Sequence, residues 1–206
     1  CFTHDTHELI YSVLKTPLLI KLQRLNLESG KIEDFHANAN TNEIYIEFAK
    51  DMKHYAYIRN DGNLHTVLQV QDVDKGQLYS LNPGGGFACI RALTISPDGQ
   101  NIVYSFPESR GSQQLWMTDN KLENKTELTK SDFIDAYPRF SPTGNVLTFT
   151  STRSGNFDIF RMSVDGSGIF QLTDHPGIDT RPSFSPDGSK IVYTSLRQGN
   201  YEIFIM

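Results

Sequence analysis

The sequence lacks the features that mark several large classes of protein. Its 206 residues include two cysteines, Cys1 and Cys89, which are too few for a disulfide framework. Basic residues do not exceed acidic ones: 19 Lys and Arg stand against 24 Asp and Glu, a net charge of −5. Nucleic acids and anionic lipid surfaces recruit a basic excess, so neither partner is expected. No apolar run approaches the roughly 20 residues of a membrane helix, and no membrane insertion is expected.

Motifs of catalysis and metal binding are also missing. The sequence has no G-x-S-x-G elbow, no glycine-rich phosphate loop with a lysine, no H-E-x-x-H and no paired C-x-x-C. These patterns serve nucleophilic catalysis, phosphate binding and metal binding. Carboxylates are numerous, but no spacing singles out an acid–base pair of the kind that a glycosidase uses. We therefore predict a protein that is not an enzyme and that needs no cofactor and no metal.

What the sequence does contain is a repeat of about 45 residues. The last two units align without gaps at an offset of 44, so that residues 138–144 match residues 182–188 and residues 158–162 match residues 202–206. Earlier copies have diverged further but keep the same order of elements. The anchor positions of the five units are residues 2, 48, 95, 140 and 184. Such regular spacing predicts a repeat architecture.

Each unit is predicted to form four short strands separated by turns. The sequence Ser185-Pro186-Asp187-Gly188 suits a tight turn, because proline presets φ and glycine adopts the conformation that other residues avoid. The β-branched and aromatic run at residues 190–195 is typical of a strand. Four antiparallel strands in about 45 residues, repeated along the chain, predict an all-β fold, a β-propeller with four-stranded blades. No unit shows the sustained 3.6-residue apolar period of a helical solenoid.

The repeats predict a single propeller domain over residues 1–206, with units that start near residues 2, 48, 95, 140 and 184. Met206 aligns with Met162, so the last blade is expected to be incomplete, without its outermost strand. Two interpretations stay open: a closed five-bladed ring, or part of a six- or seven-bladed propeller. An open propeller would expose a blade face, and such a face favours a homodimer.

The repeated elements Ser-Pro-Asp-Gly, Ser-x-Arg-x-Gly-Asn, Ile-Phe-x-Met and Gln-Leu-Thr resemble the TolB-type propeller repeat, a WD40-like PD40 repeat. The resemblance is strongest over residues 92–206. It implies a periplasmic or otherwise extracytoplasmic protein that binds a protein partner or a small ligand through its propeller and performs no chemistry. Related propellers also serve as gating domains of prolyl-oligopeptidase-type serine peptidases and as sensor domains of membrane-anchored regulators. Those two roles are the alternative functions.

In a propeller, strands a to d of each blade run outward from the central channel. We call the face with the a–b and c–d turns the turn face, and the face with the b–c and d–a connections the loop face. The loop face carries all the candidate binding residues. They are Asp135, Tyr137, His175, Asp179, Arg181, Arg153, Asn156, Arg197 and Asn200.

Two kinds of residue make up this candidate set. The aspartates, Arg153, Arg197 and the asparagines repeat at an offset of 44, so an alternative role for the arginines is to pair with neighbouring carboxylates and hold blades together. Tyr137, His175 and Arg181 do not repeat in identity. The packing of the repeated blades therefore does not explain why these residue types are present. For that reason the three residues are the better ligand candidates.

Overall fold

The computed structural model describes residues 7–17, 19–36, 41–60, 66–84, 90–107 and 112–206. In these ranges it contains β-strands that form five antiparallel sheets, and each sheet uses strands that are consecutive in the chain. The predicted all-β propeller is confirmed, with one sheet for each repeat unit. Within the same ranges, no helix has the length and apolar character needed to cross a membrane.

The bounds of the strands follow the repeat. Blade 1 contains β1 (Glu8–Thr16), β2 (Leu19–Asn26) and β3 (Ile32–Asp34). Blade 2 contains β4 (Asn42–Phe48), β5 (His54–Asn60), β6 (Thr66–Asp72) and β7 (Gln77–Leu81). Blade 3 contains β8 (Ala92–Ile95), β9 (Asn101–Phe106), β10 (Gln114–Asp119) and β11 (Lys125–Glu127). Blade 4 contains β12 (Asp135–Phe140), β13 (Val146–Ser151), β14 (Asp158–Ser163) and β15 (Phe170–Gln171). Blade 5 contains β16 (Asp179–Phe184), β17 (Ile191–Arg197) and β18 (Asn200–Ile205).

Backbone hydrogen bonds identify the strands of blade 1. The N–H of Phe35 donates to the carbonyl of Leu22 at 2.9 Å, and in blade 4 the N–H of Leu172 donates to the carbonyl of Ile159 at 2.8 Å. Leu22 in β2 therefore takes the place that Ile159 has in strand c, the third strand, of blade 4. It follows that β1, β2 and β3 are strands b, c and d of blade 1. Residue 2, the predicted anchor of strand a in this blade, lies outside the described residues.

The predicted turns close the a–b connections. In blade 5 the N–H of Gly188 donates to the carbonyl of Ser185 at 2.9 Å, and Gly188 has a φ of +73°. Asp187 accepts hydrogen bonds at 2.5 Å from the hydroxyl of Ser185 and at 3.0 Å from the N–H of Ser189. The hydroxyl of Ser185, followed by the N–H and hydroxyl of Ser189, lowers the pKa of Asp187 to about 2.

Consecutive blades pack face to face, and the inner strand of each blade lies against the preceding blade. Apolar clusters fill the junctions, with Tyr104 and Phe149 among the fully buried side chains. Burial raises the pKa of Tyr104 to about 12. Among the described strands, no extensive packing joins blade 5 to blade 1. The outer part of blade 5 therefore leaves large apolar side chains exposed, namely Tyr201, Ile203 and Ile205.

Candidate functional site

Asp135 and Arg153 form a largely buried ion pair within blade 4. The side chain of Asp135 is fully buried, and 18% of the Arg153 side chain is exposed. Nη2 of Arg153 lies 2.9 Å from each carboxylate oxygen, and Nε lies 2.9 Å from the hydroxyl of Ser151. The guanidinium also lies 5.3 Å from the ring centroid of Phe149 and 5.2 Å from that of Phe160. We call this pairing of strand a with the b–c loop the carboxylate clamp. It joins two elements of one blade and not two neighbouring blades.

Asp179 and Arg197 form a looser clamp in blade 5. Nη2 of Arg197 lies 3.7 Å from Oδ1 of Asp179, and its Nε donates to the hydroxyl of Ser195 at 2.6 Å. That hydroxyl in turn donates to Oδ1 of Asp179. Oδ2 of this fully buried aspartate has no hydrogen-bond partner among the described residues. Burial raises the pKa of Tyr193, and the negative charge of Asp179 raises it further.

A third buried carboxylate at the same position of the repeat, Glu43, was missed by sequence reasoning. It lies five residues before the anchor Phe48, as Asp135 and Asp179 lie before their own anchors. Its side chain is 2% exposed, and one oxygen lies 2.8 Å from Nδ1 of His36. Because glutamate replaces aspartate, and because its partner is a histidine of the d–a segment and not an arginine of the b–c loop, the match is hidden in a residue alignment. The constant distance from the anchor was the signal that could have found it.

Asn156 and His175 organise the d–a loop that leads from blade 4 to blade 5. The Asn156 amide donates to the carbonyls of His175 at 2.8 Å and Gly177 at 2.9 Å. The N–H of Gly177 donates to Nδ1 of His175 at 2.8 Å. A Cβ at Gly177 would lie 2.1 Å from the carbonyl oxygen of Leu196, so the loop requires glycine there. Asn200, the equivalent of Asn156 in blade 5, is exposed.

Tyr137 and Arg181 lie at β-bulges in the inner strands of blades 4 and 5. Their φ angles are +51° and +56°, and Tyr45 of blade 2 has a φ of +53° at the same place in its strand. The three residues, two tyrosines and one arginine, share one position of the repeat. Bulky side chains rarely adopt this conformation, which costs of order 1–3 kcal/mol for each residue. The N–H of Arg181 donates to the hydroxyl of Thr150 in blade 4 at 3.1 Å, which anchors the bulge to the preceding blade.

The two bulged residues meet at a pocket on the loop face. The guanidinium of Arg181 lies 5.1 Å from the ring centroid of Tyr137, a cation–π contact between blades 5 and 4. The pocket has a volume of about 430 Å³, and we call it the loop-face pocket. Its other lining residues are Phe157, Ile178, Thr180, Thr194 and Tyr201. The site therefore combines one exposed cation with an aromatic and aliphatic wall.

The channel is bridged nearer the turn face. Arg139 of blade 4 forms an ion pair with Glu47 of blade 2, and Thr94 of the intervening blade donates to Glu47 at 2.8 Å. Arg139 also donates to the carbonyl of Leu93 at 3.0 Å. A cleft of about 580 Å³ lies at this end of the channel. Arg139 and Glu47 pair with each other, whereas Lys50, which also lines this cleft, is exposed.

The structure thus divides eight of the nine predicted binding residues into three groups, and Asn200 lies outside them. Tyr137 and Arg181 meet in one pocket, whereas the aspartates with Arg153 and Arg197 form clamps, and Asn156 with His175 shapes a loop. Phe157 and Tyr201 of the pocket wall were not predicted, although they repeat at an offset of 44. Among the described residues, no group of three or more His, Cys, Asp and Glu is arranged to hold a metal ion.

Comparison with known proteins gives a family match and several relatives. The model of the TolB beta propeller domain, PD40, matches residues 29–172. Uncharacterized protein Atu1656 of Agrobacterium fabrum is 29% identical over 124 residues, which cover 57% of this chain and 42% of that protein. The Tol-Pal system protein TolB of Cereibacter sphaeroides is 32% identical over 93 residues, covering 45% of this chain and 19% of that protein. The chain therefore spans less than half the length of these curated relatives.

Solved structures show the same fold. TolB from Acinetobacter baumannii superimposes with a TM-score of 0.76 at 21% identity, over 98% of this chain and 50% of that chain. Enzymes share the fold as well: an oligogalacturonate lyase from Vibrio parahaemolyticus gives a TM-score of 0.68 at 17% identity, over 100% of this chain and 60% of that chain. At these identities the likeness establishes the fold alone.

Proposed function

Because this chain belongs to the TolB beta propeller domain family, we propose that it is a non-enzymatic scaffold whose loop face binds a protein partner outside the cytoplasm. The TolB-like propeller fold supports a binding scaffold in general. The proposed compartment is supported by the likeness to Tol-Pal system proteins named TolB. The proposed binding face is supported by the geometry of the loop-face pocket.

The observation that carries the binding site is the meeting of Tyr137 and Arg181, two residues at β-bulges, in one pocket. Both residues have a positive φ, and both line the same pocket. A strained backbone persists only where the surrounding structure enforces it, and such positions concentrate at ligand sites. A bulge also changes the direction of a side chain relative to the regular strand. Tyr45 of blade 2 has the same conformation, so the bulge belongs to the repeat. What supports a binding role at blades 4 and 5 is that the two bulges bring the side chains of Tyr137 and Arg181 together in one pocket on the loop face.

The environment of the buried carboxylates supports binding over catalysis. A general acid or base must reach the proton that it transfers. Asp135 and Asp179 have fully buried side chains, and each faces an arginine of its own blade. These carboxylates therefore hold loops in place and do not face a substrate. The role of a gating propeller in a serine peptidase stays an alternative, because the fold also occurs in prolyl endopeptidases.

A photocrosslinking experiment tests the proposed face. The variant Tyr137→p-benzoylphenylalanine places the reactive group at the pocket, and the control Phe170→p-benzoylphenylalanine places it on the outer strand of blade 4, where Phe170 is 58% exposed. After irradiation in an extract of the source cells, we expect a discrete protein adduct from position 137 and not from position 170. Adding Arg181→Ala should reduce that adduct at an unchanged melting temperature.

Two results would contradict the proposed binding face. Equal adducts from both positions, or an adduct that does not respond to Arg181→Ala, would remove the loop-face pocket from the binding surface. A homodimer, expected from the exposed apolar side chains of blade 5, stays a separate prediction. It would appear in the same experiment as an adduct of twice the mass of the chain.

A further inference from the structure

Within the part of the chain that the structure describes, Arg181 differs from the other arginines of the inner strands and b–c loops because no carboxylate pairs with it. Arg139, Arg153 and Arg197 each form an ion pair with a carboxylate of the chain. No ion pair within the described residues includes Arg181, whose side chain is exposed. Its position is nevertheless fixed, by the bulge at its backbone and by its contact with the ring of Tyr137. A guanidinium held in place without an anion is prepared to receive one.

The wall beside this guanidinium is mainly aromatic and aliphatic. Phe157 and Ile178 are half-buried, and Tyr201 is 62% exposed. A volume of about 430 Å³ is within the usual range for sites that hold a small ligand or one or two side chains. Apolar surface next to a fixed cation favours a ligand that carries an apolar group and an anion close together.

We propose that the loop-face pocket binds a carboxylate attached to, or adjacent to, an aromatic side chain, with Arg181 receiving the carboxylate and the apolar wall receiving the ring. This inference rests on the proposed function and names the chemistry of the partner segment. Arginine binds carboxylate through two parallel hydrogen bonds. The ring would bury apolar area against Phe157 and Tyr201, where stacked or edge-to-face contacts add to the binding energy. A carboxylate of this kind occurs at a C-terminal phenylalanine and at an acidic residue beside an aromatic one.

Three short peptides distinguish these sources of carboxylate. They are acetyl-Gly-Gly-Phe with a free C-terminus, the same peptide as its amide, and acetyl-Asp-Phe amide. Each is titrated into the isotopically labelled chain, and binding is followed by amide shifts of the pocket residues. We expect at least one carboxylate-bearing peptide to bind about tenfold or more tightly than the neutral amide, as the value of a charged hydrogen bond predicts. Whichever carboxylate peptide binds more tightly identifies the source.

Arg161 supplies the matched control variant. It also lies over an aromatic ring, that of Phe170 at 5.5 Å, and no ion pair within the described residues includes it. We expect Arg181→Gln to abolish the preference for the carboxylate and Arg161→Gln to retain it. Equal binding of the acid and amide peptides, or an unchanged preference in Arg181→Gln, would overturn the inference.

The two proposals fail in different ways. If the crosslinked adduct at position 137 forms and depends on Arg181 but no carboxylate peptide is preferred, the inferred ligand chemistry is wrong and the binding face stands. If the carboxylate peptides are preferred but no adduct forms, the pocket chemistry stands and the protein partner is wrong. Failure of all peptides to shift the pocket residues at millimolar concentration also counts against the inferred chemistry.

Discussion

The carboxylate clamp of blade 4 yields the sharpest stability prediction. In Arg153→Met the apolar stem that packs on Phe149 and Phe160 is largely retained, but the charge that neutralises Asp135 is lost. The Asp135 side chain is fully buried, and both of its oxygens accept from Arg153 at 2.9 Å. The variant therefore leaves an unpaired carboxylate in the interior of the blade.

The magnitude follows from this burial. Breaking a buried ion pair by removing one partner costs about 3–5 kcal/mol. For a chain of this length each kcal/mol lowers the melting temperature by about 2–4 °C, which gives a decrease of about 6–20 °C. The matched variant Arg197→Met should lose much less. In blade 5 the guanidinium lies 3.7 Å from Oδ1 of Asp179, beyond hydrogen-bond distance, and Oδ2 already has no partner among the described residues.

Thermal unfolding, followed by circular dichroism at neutral pH, measures both variants and the double variant Asp135→Asn/Arg153→Met. We expect the double variant to be more stable than Arg153→Met, because no buried charge remains. Equal losses in Arg153→Met and Arg197→Met would refute the argument from clamp geometry. A double variant less stable than Arg153→Met would show that Asp135 has a stabilising role apart from the arginine.

Two further predictions concern the turn of blade 5. Gly188 has a φ of +73°, so Gly188→Val should introduce about 1–2 kcal/mol of strain and lower the melting temperature by about 2–8 °C. Gly188→Asn should lower the melting temperature less, because asparagine adopts the left-handed conformation more readily. Equal effects of the two variants would show that the turn does not require a left-handed residue. The pKa of Asp187 is lowered to about 2, first by the hydroxyl of Ser185 and then by Ser189. Stability linked to this carboxylate is present above its unfolded pKa near 3.8 and is lost as pH falls through about 2. The NMR chemical shift of the Asp187 carboxyl carbon, followed against pH, measures this titration. In Ser185→Ala the pKa of Asp187 should return towards 3.8. An unchanged pKa would exclude Ser185 as the main cause of the lowering.

The repeat made the blades predictable, because a 44-residue copy of turns and strands requires the same local structure twice. The repeat also singled out Asp135, Asp179, Arg153 and Arg197, which recur at an offset of 44, but as candidate binding residues or as ties between blades, and not as clamps within one blade. The family prediction is confirmed, and the family match extends upstream of the residues that carry the clearest repeats. The strands of blade 1 were harder to predict because its motifs have diverged. Its predicted first strand lies outside the described residues.

Sequence reasoning reached two residues of the loop-face pocket, Tyr137 and Arg181, but not the pocket itself. It forms only where blade 4 meets blade 5, so no spacing within one unit reveals it. The bulges at Tyr137 and Arg181 shift the strand register, and nothing in the residue types signals a left-handed tyrosine or arginine. The register is set partly by Thr150, which binds the N–H of Arg181 from the neighbouring blade. Local patterns specify strands, whereas contacts between blades specify where those strands are interrupted.

The ion pair between Glu47 and Arg139 has a consequence for how the molecule opens. Among the described strands, the contacts between blades link consecutive blades, so local unfolding is expected to spread from one blade to the next, as in a linear array. This ion pair joins residues 92 positions apart and spans blade 3. By linking blades 2 and 4 directly, this ion pair is expected to couple the opening of blades 2, 3 and 4, whereas blades 1 and 5 each pack on a single neighbouring blade among the described strands. Amide hydrogen exchange should then be slow and correlated across the three central blades and faster in the two outer ones.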